Sequence, residues 1–125
     1  MKYSFLGDTD IKVSNYCLGT MTFGEQTNED DAHLQMDKAF DAGINFFDTA
    51  EMYSTCPTRK ETAGKTESII GTWLKTNSVL RSELVLATKI IGNEYTFIRD
   101  GGPITSKSIK VALEGSLKRL NTDYV

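Results

Sequence analysis

The chain is most easily approached through what it is short of. None of its apolar stretches approaches the length of a membrane span, and the start, "MKYSFLGDTD", turns polar far too soon for a secretory signal. A cytoplasmic protein with no membrane partner is the expectation. Its 14 Lys and Arg are scattered among 17 Asp and Glu for a net charge of -3, which leaves no basic stripe to follow a nucleic-acid backbone. There is one histidine, His33, in a helical pattern with no second ligand at metal spacing, so a metal site is not expected. The two cysteines, Cys17 and Cys56, lack CxxC spacing, and Cys17 lies in an apolar segment where it is expected to pack as a small hydrophobe. No internal repeat, low-complexity tract or G-x-G-x-x-G follows the first strand, and "GTMTFG" does not supply that phosphate fingerprint.

What is present is the composition of an ordinary folded domain, 39% hydrophobic and 25% charged, which argues against disorder. Short alternating segments, Tyr3 to Leu6 and Ile11 to Val13, flank the turn chemistry of "GDTD" and predict a hairpin acting as a lid or plug. "YCLGTMTFG" predicts a strand ending at Gly19. A helix follows from Asn28 to Ala42, with Asn28 as N-cap, three acids in the first turn, and Ala32, Met36, Ala39 and Phe40 on one face until Gly43 stops it. "INFFDTA" predicts a second strand. A helix from Thr66 to Lys75 places Ile70, Trp73 and Leu74 inward, with Gly71 allowing close packing. "ELVLATKI", apolar on both faces, has the signature of a buried parallel strand. A third helix from Ser106 to Leu120 is expected to pack through Ile109, Leu113, Leu117 and Leu120. This alternation of strand and helix gives an α/β fold with a parallel sheet.

In a right-handed series of βα units, the loops after the strands open on one side. The first strand end carries Gly19, Thr20 and Met21, the second carries Asp48 with Tyr53 in its loop, and the third carries Lys89, a lone charge in an apolar strand. A buried ammonium needs an anion, and Asp48 is available. A cation near Tyr53 would lower the phenol's pKa from about 10 and prepare it to protonate a developing alkoxide. No side chain donates hydride, so carbonyl reduction at such a site requires a cofactor, most simply a reduced nicotinamide. This chemistry requires the three groups to converge in one dry pocket. The bland alternative stays open: Asp48 as a loop cap, Tyr53 as packing, and Lys89 snorkelling from a strand end.

Four segments, "VSNYCLGTMTFG", "AGINFFDTAEMY", "GKTESIIGTWLK" and "LVLATKI", occur in the order in which the aldo-keto reductases carry similar motifs, and the chain resembles the N-terminal part of that family along essentially its whole length. The long loop "STCPTRKETAGKTE" is similar to that of a Tas-like bacterial branch. The resemblance implies a (β/α)8 TIM barrel, of which residues 1–125 would form a hairpin and about three βα units, and an NADP(H)-dependent enzyme that reduces aldehydes and ketones. It further implies Tyr53 as general acid, Lys89 as the group that lowers its pKa, and Asp48 as the carboxylate that orients Lys89 and meets the nicotinamide. Gly19, Thr20 and Met21 would line the same end of the cofactor. Phe23 either faces the small carbonyl substrate or packs. The family's tetrad also includes a histidine near the end of the fourth strand, which has no counterpart up to Val125 and for which His33 cannot substitute. A TIM barrel takes about 250 residues, so the chain is expected to be part of a longer protein, inactive alone and exposing a sheet edge. An alternative of another class is an NADP(H)-binding regulatory protein, since the potassium-channel β-subunits resemble the same family.

Overall fold

The computed structural model of the chain describes the backbone of residues 1–125 and every side chain except those of residues 78–80. The opening hairpin forms as expected, with β1 (Tyr3–Phe5) antiparallel to β2 (Lys12–Ser14) and Tyr3 opposite Ser14. The turn depends on Gly7 at φ 58 and on the Thr9 hydroxyl, which donates to the Leu6 carbonyl at 2.7 Å. Tyr3 Oη donates to the Gly43 carbonyl at 2.8 Å, and Asn45 Oδ1 accepts from the Ser14 N–H at 2.7 Å. Residues 43 and 45 lead into a strand from below, so the hairpin plugs the N-terminal ends of the parallel strands and does not cover the loops at the other end.

Three strands make the parallel sheet, in the order β3 (Leu18–Gly19), β4 (Phe46–Asp48), β5 (Val85–Ala87). Gly19 pairs with Asp48, and Asp48 with Ala87. The regular strands are shorter than the apolar runs that predict them, but the pairing extends past them: Val85 N–H donates to the Asn45 carbonyl, Thr49 N–H to Ala87, and Glu51 N–H to Lys89. These later bonds tie the two loop-bearing strand ends together.

Helix α1 (Glu29–Asp41) starts at Asn28, whose side chain accepts from the Asp31 N–H, and buries Ala32, Met36 and Ala39. Helix α2 (Lys65–Thr76) turns Ile70, Trp73 and Leu74 inward, and the Trp73 indole donates to Asp37 of α1 at 2.7 Å. His33 also joins these helices, its Nε2 lying 3.1 Å from the Ile69 carbonyl and 3.2 Å from the Thr72 hydroxyl. Among the described residues no group of three metal-ligating side chains occurs. The core between sheet and helices holds Met36, Phe47, Ile70, Trp73, Leu86 and Leu120, with Phe47 and Trp73 ring centroids 5.7 Å apart.

Helix α3 (Ser106–Leu120) has the expected bounds but a different inward face. Ala112, Ser116 and Leu120 are buried, Leu113 and Leu117 only partly, and Ile109 is 41% exposed. A Cβ added at Gly71 would stand 2.1 Å from the Arg119 carbonyl, so α2 meets the last turn of α3 with backbone almost in contact. Gly71→Ala should therefore destabilise the fold by about 1–3 kcal/mol, read as a lower denaturant midpoint with the slope unchanged.

Cys17 also departs from expectation. It is exposed, because alternation along β3 sends Leu18 to the core and Cys17 to the opposite face of the sheet.

Candidate active site

A parallel register carries the C-terminal ends of β3, β4 and β5 to one level, and the side chains found there depend on it. Asp48 closes β4, Lys89 lies two residues beyond β5, and Tyr53 follows in the loop after β4. Lys89 Nζ donates to Asp48 Oδ2 at 2.5 Å and lies 4.9 Å from the centroid of the Tyr53 ring. Three groups from two strand ends thus share one corner. Desolvation by itself would lower the Lys89 pKa, but its bond to Asp48, followed by its interaction with the Tyr53 hydroxyl, more than offsets this and raises it. A raised lysine pKa contributes stability that is complete below the ordinary value of 10.5 and fades only as pH climbs through the folded-state value, so the pair stays closed across the neutral range.

Contrary to the expectation of a dry pocket, the corner is open in the arc that these residues form. The side chains of Asp48 and Lys89 are 36% and 48% exposed. They face the same side of the sheet as Cys17, where no second layer of the described residues covers them. Partial desolvation, followed by the nearby Asp48 carboxylate, pushes the Cys17 thiol up, with Lys89 acting in the opposite direction.

The remaining expected residues divide. Gly19 lies beside Asp48 with no heavy atom within 4 Å of where a Cβ would stand, so its backbone forms a bare floor. Met21 is 42% exposed at the rim. Thr20 is buried, and its hydroxyl donates to the Asp48 carbonyl at 2.8 Å, so it braces the strand end. Phe23 takes the packing alternative in this chain: it is 1% exposed and belongs to the hydrophobic core, because the turn after Met21 sends its ring inward and its carbonyl to the Thr66 hydroxyl at 2.7 Å.

Two buried carboxylates behind the corner are absent from the sequence-based expectations. Glu51 accepts from the Ile91 N–H at 2.8 Å and pairs with the Arg99 guanidinium. Glu67, wholly buried on α2, accepts from the Thr88 hydroxyl at 2.6 Å and from Arg119 Nε at 2.7 Å. A signal for Glu67 exists in the sequence, for it shares the inward stripe of Ile70, Gly71 and Leu74 at helical spacing, and an acid on a core stripe needs a buried cation.

Parallel strand, outer helix, inner-face polar corner at the strand ends: this is the construction of one arc of a (β/α)8 barrel, with the hairpin below. Residues 15–125 match the model of the aldo/keto reductase family. The chain belongs to that family. It is 45% identical to Protein tas of Escherichia coli and 44% identical to the uncharacterized oxidoreductase YrpG of Bacillus subtilis, in each case over the whole of this chain. The aldo-keto reductase AKR11C1 from Bacillus halodurans, described as a holo form, superposes over the whole chain with a TM-score of 0.76 at 34% identity. The chain spans 36% and 38% of the two curated relatives and 38% of that structure, so it corresponds to a partial barrel.

Proposed function

We propose that this chain is the first part of a reductase barrel in which a reduced nicotinamide, NADP(H) by the habit of the family, delivers hydride to a small aldehyde or ketone and Tyr53 provides the proton. The observation that carries the reading is the meeting of Lys89 with both Asp48 and the Tyr53 ring. The bare backbone at Gly19 beside Asp48 fits the flat ring of such a cofactor, and Met21 fits its edge. When bound, the nicotinamide supplies the hydride. Tyr53 gives its hydroxyl proton to the carbonyl oxygen as that oxygen gains charge. Lys89, kept protonated by Asp48, stands against the phenolate that is left and lowers the cost of forming it. Asp48 keeps the ammonium from turning away.

The test is cofactor oxidation by the complete protein with a panel of small carbonyls, followed at the nicotinamide absorbance. Lys89→Met should keep the stem and remove the charge, lowering turnover on the order of 10²-fold. Brisk turnover by this variant, or no turnover of any carbonyl by the parent, would sink the reading.

A further inference from the structure

Glu51 lies between Asp48 and Tyr53 in sequence, yet faces away from both. Its backbone N–H donates to the Lys89 carbonyl at 3.0 Å, while its carboxylate accepts from the Ile91 N–H at 2.8 Å. One residue thus grips the backbone on each side of Ile90, immediately after Lys89. Arg99 completes the grip: its guanidinium pairs with the Glu51 carboxylate and donates to the Ile91 carbonyl at 2.7 Å. The pair is buried, with 3% of the Glu51 side chain and 16% of the Arg99 side chain exposed. Arg99 reaches this position from a backbone that few residues adopt, since Arg99, Asp100 and Gly101 have φ of 48, 57 and 64. Left-handed conformations at two successive non-glycine residues persist only where surrounding contacts over-determine them.

We propose that Glu51 and Arg99 are positioning residues that set where the Lys89 ammonium stands relative to Tyr53. Touching neither reacting group, they act through the Lys89 backbone. This rests on the function proposed above. A shift of about 1 Å in a catalytic group can lower rate on the order of 10²-fold, and Lys89, with nearly half its side chain in solvent, is held among the described residues by Asp48, by the Tyr53 ring and by its own backbone. The titratable groups that face Lys89 are Asp48, Tyr53 and Cys17.

The experiment compares Glu51→Gln with Tyr53→Phe in the complete protein. Glu51→Gln preserves shape and an acceptor for Ile91 but removes the charge that Arg99 needs. It should lower kcat by about 10- to 100-fold with KM little changed, because the ammonium is displaced from the reacting groups while the rest of the pocket keeps its shape. Unchanged kcat would overturn the proposal, and so would a fall in kcat matched by a rise in KM, which is what structural loosening of the whole pocket gives. Should Glu51→Gln fail to fold, Arg99→Lys, which keeps the charge but loses the fork, is read by the same two criteria with a smaller expected loss. If Tyr53→Phe itself leaves kcat intact, the parent reading fails instead, so the two failures are distinguishable.

Discussion

Tyr53→Phe is expected to reduce carbonyl turnover by about 10²- to 10⁴-fold while cofactor affinity stays close to that of the parent. The ring that remains is the reason this variant is clean. Lys89 Nζ lies 4.9 Å from the Tyr53 centroid, within cation–π distance, so a phenyl ring keeps the ammonium in place and retains its bond to Asp48. What disappears is the hydroxyl, with its dissociable proton and its interaction with Lys89. Steady-state kinetics alongside a fluorescence titration of the cofactor separates the two quantities. Turnover within about tenfold of the parent would mean that the proton reaches the substrate by another route, since general-acid assistance is worth more than that.

Glu67→Ala should cost about 3 kcal/mol of folding stability, measured by denaturant unfolding of the complete protein. The carboxylate is wholly buried and serves two partners, Arg119 and the Thr88 hydroxyl. Its removal strands a guanidinium between α2 and α3 at the very place where Gly71 brings the helices together. The value belongs at the low end of the range for a broken buried pair because Arg119 keeps 31% of its side chain in solvent. The contrasting control is Glu25→Ala: Glu25 is 14% exposed and accepts from the Thr62 hydroxyl at 2.8 Å, but its partner Arg59 is 57% exposed and is left in solvent, so a smaller loss of about 1 kcal/mol is expected. Equal losses at both positions would remove the distinction drawn here between core and rim pairs.

Much of the fold was legible because its signals are local. Asn28 before three acids and the spacing of Ala32, Met36 and Ala39 define α1, and the observed helix obeys each. The ends of α3 were equally legible, though its reciprocal cap between Thr105 and Ser108 was not anticipated. Its inward face was misjudged because hydrophobicity ranks Ile109 above Ala112, whereas the face that packs carries Ala112, Ser116 and Leu120. Cys17 was misplaced for a related reason: an apolar neighbourhood in sequence does not say which face of a strand a residue takes. At the candidate site, the approach of Asp48, Tyr53 and Lys89 to one corner was legible because charge and phenol at strand ends are conspicuous. The grip of Glu51 on Arg99 was not, because it spans 48 positions and depends on a loop with no periodic signal. The open, wet corner is a tertiary property that follows from how many layers surround it.

Each parallel strand is hydrogen-bonded to the one made just before it, in the order β3, β4, β5. A nascent chain leaving the ribosome could therefore add every new strand to a template already in place, without waiting for a distant segment. The growing edge would always be the newest strand, and synthesis and assembly could proceed in the same direction.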